Sequence, residues 1–202
     1  MDFTGKPLKG FLYVDNEGIH TEEQLRTWLE LGIEFVEKQG LKIKTKKKTM
    51  SKLQARNETI IGAPISSVWA IITDINLLHK INPGVISAKG RMDKQGETRT
   101  CEMDNKGRKG TMTERLIELV PEKKTVWTIE NDSMGMKKML ADTKFCFYLE
   151  KVSDQQTKVI NESYYLPITF MAKIMNALMM KSMMGKIQGK ILSNIKALAE
   201  KN

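Results

Sequence analysis

The stretch LPITFMAKIMNALMMKSMMGKIQGKILSNIKALAEKN, residues 166–202, decides how this chain is read. Apolar residues recur at Met171, Ile174, Met175 and Leu178, then at Met180, Met184, Ile187, Ile191, Ile195 and Leu198, a three-and-four spacing that stacks side chains on one helical face. Lys173, Lys181, Lys186, Lys190 and Lys196 lie largely off that face. Pro167 suits a first helical turn, where no backbone N–H is lost, and no proline follows it, so one long helix is expected over 167–200. Its middle, Ala177 to Met184, is apolar on almost every side. One flat contact cannot satisfy such a pattern, which predicts a structure wrapped around the helix.

Working outward, Lys52 to Ile61 alternates Leu53, Ala55, Asn57, Thr59 and Ile61 as a strand does. In GAPISSVWAIITDINLLHKINPGV, residues 62–85, Pro64 opens a short helix carrying Val68, Trp69, Ile71 and Ile72. Asp74 is placed to cap a second one holding Leu77, Leu78 and Ile81, closed by Pro83 and Gly84. Six strands are then expected at Val85–Arg91, Glu97–Met103, Lys109–Val120, Thr125–Asn131, Met139–Lys151 and Lys158–Leu166, separated by glycine, proline and polar turns. Strands segregated from helices imply an α+β fold with an antiparallel sheet.

Residues 1–39 form a separate small segment. Phe11 to Val14 suits a strand, Asp15 to Gly18 a turn, and Thr21 with Gln24 three residues later a capping box. Leu25, Trp28, Leu29, Ile33 and Val36 then make one apolar face, with Gly40 as a stop. A strand and a helix cannot bury that face alone, so the segment is expected to dock on something. Residues 40–51, with Lys42, Lys44, Lys46, Lys47 and Lys48, read as a basic linker.

The opening DFTGKPLKGFLYV and the helix after it resemble the closing segment of the TfoX N-terminal domain. The likeness implies a fused or leftover fragment, without the earlier part of that domain.

Composition narrows the function classes. The chain has 202 residues, 41% hydrophobic and 28% charged, values of a globular protein. The formal charge is +9, and the final helix carries six lysines against one glutamate. A solvated lysine face explains that run, with weak contact to a membrane surface as the other use and no nucleic-acid partner expected. Cys101 and Cys146 are the only cysteines, which suits a reducing cytoplasm and suggests neither a disulfide framework nor a zinc site. No basic-then-apolar leader is seen, and Lys173, Asn176, Lys181 and Ser182 interrupt the most apolar window, so no transmembrane segment is expected. His20 and His79 lie far apart in the sequence. No metal site, nucleotide loop or cofactor motif is present, and no cofactor is expected. Glu114, Glu130, Asp142 and Glu162 fall inside strands, where an inward carboxyl group is a candidate acid or base, but no catalytic residue can be nominated from them.

The element order, together with Ala63-Pro64-x3-Val68-Trp69-x4-Asp74 followed by Pro83 and Val85, resembles the SRPBCC superfamily of START, Bet v 1 and polyketide cyclase/dehydrase-like domains. That resemblance covers residues 52–202. It implies a helix-grip fold, in which a curved, seven-stranded antiparallel sheet holds the C-terminal helix with an apolar cavity between them. It also implies that Val68 and Trp69 pack the short helices, that Asp74 caps the turn, and that His79 sits at the cavity entrance.

Alternation of Met139, Ala141, Thr143, Phe145, Phe147 and Leu149, matched by Trp127 and Ile129, supplies one candidate wall, with Trp127, Phe145 and Phe147 as its aromatic members. Met171, Met175, Leu178 and Met179 supply the other, since unbranched methionine adapts to irregular apolar ligands. The expected function is non-catalytic binding of a small hydrophobic molecule, lipid or polyketide-like. The alternatives are a cyclase or dehydratase-like enzyme and a protein-interaction module with a methionine-rich surface.

Overall fold

The computed structural model describes residues 21–38, 50–105 and 107–201. The chain divides into two units, Met1–Lys48 and Thr49–Asn202. In the first, Glu22–Lys38 forms α1. Its start is the expected capping box: the Gln24 N–H donates to Thr21 Oγ1 and the Thr21 N–H to Gln24 Oε1, both at 3.2 Å. The expected strand at Phe11–Val14, the stop at Gly40 and the basic stretch Lys42–Lys48 lie outside the described residues.

The second unit opens with β1 (Lys52–Ile61), α2 (Ile65–Thr73), a 3-10 turn (Ile75–Leu77) and α3 (Leu78–Ile81). There follow β2 (Val85–Gly90), β3 (Thr98–Asn105), β4 (Arg108–Val120), β5 (Lys124–Asp132), α4 (Met136–Met139), β6 (Leu140–Ser153) and β7 (Gln156–Pro167). Then come α5 (Phe170–Met175), a π-turn (Asn176–Met180) and α6 (Lys181–Ala199), which together make the C-terminal helix. The seven strands form one sheet in the order β1-β7-β6-β5-β4-β3-β2, antiparallel throughout. The first strand therefore pairs with the last, which stitches the two ends of the unit together. Register shifts in the β1/β7, β2/β3, β4/β5 and β6/β7 pairs bend the sheet. At the end of β2, Gly90 has φ 131°, and a Cβ there would stand 2.3 Å from the Thr98 carbonyl oxygen, so only glycine fits.

The motif residues do what the sequence implied. Val68 is fully buried, Trp69 packs against the same cluster, and Asp74 accepts from the Asn76 N–H at 2.8 Å to cap the turn. Around them lies the main core: Ile191, Leu192, Ile195 and Ala199 of α6 pack with Ile71 and Ile72 of α2 and with Ile61, Leu149 and Val159 of the sheet. Burying each of the Ile, Leu and Val side chains contributes about 1.5–3 kcal/mol.

Three expectations need correction. Pro167 does not open the helix; it ends β7 opposite Leu140, and Thr169 caps the helix instead, accepting from the Ala172 N–H at 3.1 Å. A strand end also leaves an N–H free to lose, so a proline there is equally tolerated. Alternation along β6 does not run unbroken: the register shifts between Ala141 and Lys144, where Asp142 takes φ 46°, and Met139 belongs to α4. Nor is the helix wrapped on all sides. Ala172, Asn176, Met180 and Gln188 are buried, whereas Phe170 and Leu178 are 78% and 79% exposed.

Candidate functional site

Which sheet face meets the helix is settled by hydrogen bonds. Gln188 of α6, fully buried, donates to Ser163 Oγ at 2.8 Å and to the Ala55 carbonyl at 3.3 Å, and accepts from Asn57 Nδ2 at 3.0 Å. Asn57 also donates to the Gly185 carbonyl at 2.9 Å. Cross-strand register then extends this face outward. Ala55 pairs with Ser163, Ser163 with Phe145, Phe145 with Trp127 and Trp127 with Leu116; in the next row stand Asn57, Asn161, Phe147 and Thr125. Trp127, Phe145 and Phe147, expected as an aromatic wall, thus share the helix-facing side of the sheet.

A second polar tie fixes the start of the helix. The Tyr165 hydroxyl donates to Asn176 Oδ1 at 2.7 Å, and Asn176 Nδ2 donates to Gln54 Oε1 at 3.1 Å. Sequence reasoning passed over these residues. A signal existed: Ala172, Asn176, Met180, Met184 and Gln188 recur every fourth residue, and the two amides in that apolar stripe mark where it needs partners.

Two residues beyond Leu116 on the same face, Glu114 accepts from Arg99 Nε at 2.7 Å, both side chains being about 10% exposed. The Arg99 guanidinium also lies 3.9 Å from the centre of the Trp127 ring and reaches the Met92 sulfur at 3.7 Å. This buried ion pair adjoining an aromatic wall went unrecognised in the sequence, where Arg99 is one charge among many. The remaining carboxylates also hold donors: Glu162 takes Arg56 at 3.1 Å and the Tyr164 hydroxyl at 2.6 Å, Glu130 takes Arg115, and Asp142 takes the Ser51 N–H at 2.8 Å. Burial pushes the Cys101 thiol up to about 11, with the Glu114 charge adding to it, and burial raises Cys146 as well. Both thiols stay protonated near neutrality and are poor nucleophiles.

The other residues expected at the site are not brought together. Met175 is half-buried and packs with Met136, Met139 and Met184 on Leu140, Tyr165 and Met180. Met171, Leu178 and Met179 are exposed, at 63%, 79% and 52%, and His79 is exposed on α3. A π-turn carries the chain through Asn176–Met180 here, and Asn176 and Met180 keep to the buried side while Leu178 and Met179 are exposed.

Apolar packing in this unit falls into four separate clusters. Phe147 belongs with the α2/α6 cluster, yet Phe145, its neighbour on the same face, belongs with Met92, Leu116 and Trp127. The buried Thr125 hydroxyl, beside Phe147, has no hydrogen-bond partner among the described residues. Two concavities open elsewhere: one of about 660 Å³ at Gly62, Ala63, Pro64, Ser67 and Glu200, and one of about 330 Å³ at Glu58, Thr59, Ile60 and Lys158. Neither includes the aromatic wall. Among the described residues no His, Cys, Asp and Glu side chains gather as a metal site, and no helix is long and apolar enough to cross a membrane.

Comparison with known proteins places this arrangement. No curated protein matches the chain. Among solved structures, the Zhui aromatase/cyclase from Streptomyces sp. R1128 superposes with a TM-score of 0.61 at 14% identity, covering 74% of this chain and 94% of that one. Norcoclaurine synthase from Thalictrum flavum superposes at 0.60 with 12% identity, covering 79% and 92%, and a START superfamily protein from Mycobacterium smegmatis at 0.57 with 10% identity, covering 73% and 97%. At such identities the likeness establishes the helix-grip fold. The family model described as polyketide cyclase/dehydrase and lipid transport matches residues 52–200. With three quarters of its length matched by that model, and with the sheet, helix and motif residues in place, the chain belongs to the polyketide cyclase/dehydrase and lipid transport family.

Proposed function

We propose that residues 52–201 bind a small hydrophobic molecule, a lipid or a polyketide-like ring compound, between the aromatic wall and the C-terminal helix. The observation that carries this reading is the break in packing between Phe145 and Phe147, two residues apart on one strand face but in different apolar clusters. A domain of this size ordinarily has one contiguous core. An apolar ligand seated at the break would join the two clusters and lie against the part-buried Phe145 and Phe147, and the Thr125 hydroxyl would give it one polar contact. Family membership supports the reading, since the family's description includes lipid transport, and the norcoclaurine synthase structure holds dopamine and hydroxybenzaldehyde.

Native mass spectrometry of the gently purified full chain, with titration by an apolar fluorescent probe, tests it. A co-purified apolar molecule, or saturable probe binding with energy transfer from tryptophan, is expected. Absence of both refutes binding at this site.

A second reading, a cyclase or dehydratase-like enzyme, draws on the Arg99–Glu114 pair. A guanidinium held against Trp127 is a donor set for a carbonyl oxygen of a ring-forming substrate. Turnover of a poly-β-keto substrate that disappears in Arg99→Met/Glu114→Leu, while apolar probe binding persists, would favour the enzyme over the carrier.

A further inference from the structure

We propose that the outward side of the C-terminal helix, around Phe170, Ile174 and Leu178, docks on the surface of an anionic lipid bilayer. Positions 170, 171, 174 and 178 fall on one side of the helix, opposite the buried Ala172, Asn176 and Met180. That side presents Phe170 at 78%, Met171 at 63% and Leu178 at 79% exposure, whereas Ile191, Leu192 and Ile195 of α6 are buried. Contiguous apolar surface of this kind marks an interaction site. The patch lies in α5 and the π-turn, so it belongs to the segment that Thr169 caps and Asn176 pins to the sheet. It is a built surface, and its backbone is fixed.

Charge decides the partner. From Pro167 to Ala199 there is no Asp or Glu, while Lys173 and Lys181 flank the patch and Lys186 and Lys190 continue along the exposed side. Lys137 and Lys138, both exposed, stand beside it on α4, which is held there because Met136 and Met139 pack with Met175 and Met180. Apolar Phe, Leu and Met side chains framed by lysines make an interfacial surface: the apolar groups enter the acyl boundary while long lysine stems reach lipid phosphates. The proposal does not depend on ligand binding. Where both hold, the helix that closes over the aromatic wall is also the one that meets the bilayer.

The full chain is sedimented with extruded vesicles of phosphatidylcholine alone and of phosphatidylcholine with phosphatidylserine, at low and high salt. Binding is expected with the phosphatidylserine vesicles, falling about tenfold at high salt and on the neutral vesicles. Phe170→Glu/Leu178→Glu should lose at least about tenfold in vesicle binding with an unchanged melting curve, since both sites are exposed. Lys173→Glu/Lys181→Glu should abolish the preference for phosphatidylserine. No sedimentation of the wild-type chain, equal binding to neutral and anionic vesicles, or undiminished binding by the Phe170→Glu/Leu178→Glu variant would each overturn the proposal. So would a concentration-dependent dimer that Leu178→Glu breaks in the absence of vesicle binding, because a second copy of the chain would then cover the patch.

Discussion

Replacing Arg99 by Met isolates the ion pair on the helix-facing side of the sheet. In the native protein the Glu114 carboxylate is buried and bonded to Arg99 Nε at 2.7 Å, with the guanidinium stacked 3.9 Å from the Trp127 ring centre. Removing the cation leaves that charge in a weakly solvated place, at a cost of about 3–5 kcal/mol. Domains of this kind have only about 5–15 kcal/mol in hand, so the effect is large. At roughly 2–4 °C per kcal/mol the melting midpoint should fall by roughly 6–20 °C. Arg99→Met/Glu114→Leu removes both charges and keeps apolar volume, so it should return to within about 1 kcal/mol of the native protein. Urea unfolding at pH 7, followed by tryptophan fluorescence, measures both variants. If Arg99→Met alone costs less than about 1 kcal/mol, the reasoning fails: Glu114 would then be reached by water, and the aromatic wall beside it would face a hydrated space.

The same assay tests the polar tie of the helix. Gln188→Leu leaves Ser163 and Asn57 without their partner and should cost about 1–3 kcal/mol; an unchanged midpoint would mean that those bonds contribute nothing net. Ile195→Ala, at a fully buried position, should cost about 2–5 kcal/mol, whereas Leu178→Ala should stay within about 0.5, and equal effects would contradict the assignment of the two helix faces. A thiol reagent at pH 8 should leave Cys101 and Cys146 unmodified until urea unfolds the chain, and rapid reaction of the folded protein would contradict their burial. Because Cys101 is raised to about 11 on folding, the folded state holds that proton more tightly. Its contribution is therefore whole below the ordinary thiol range and is lost as pH climbs from there towards about 11, a slope that Cys101→Ala should flatten.

Strand positions were legible because each strand is bounded by its own turn chemistry, and alternation then gives a length. Lys94-Gln95-Gly96, Pro121-Glu122-Lys123 and Asp154-Gln155-Gln156 each fall at or beside an observed strand end. Errors arose where one residue type serves two local needs. Pro167 lacks the N–H that either a first helical turn or a strand end can spare, and Thr169, two residues on, is what discriminates, because its hydroxyl reaches the Ala172 N–H. The shift in β6 was not legible. Asp142 belongs to a residue type that tolerates the left-handed backbone, but nothing local marks it, and its side chain is held by the Ser51 N–H from 91 positions away.

The site follows the same division between local and distant causes. Phe145 and Phe147 could be read because a strand's period of two places them on one face without knowledge of any partner strand, and Trp127 joins them through the pairing of neighbouring β5 and β6. Arg99 and Glu114 could not, because pairing them requires the β3/β4 register, and a slip of one residue would move either side chain to the other face. The helix is the most instructive case. Its periodicity reports that several faces are apolar, but hydrophobicity alone does not distinguish a face that meets a sheet from one that meets something outside the chain. The polar residues make that distinction. Asn176 and Gln188 stand on the face that has hydrogen-bonding strands opposite it, where Tyr165, Gln54, Ser163 and Asn57 satisfy them. The face carrying Phe170, Ile174 and Leu178 has no such residue and is bordered by lysines, which suits a partner that offers phosphate at its rim and hydrocarbon beneath.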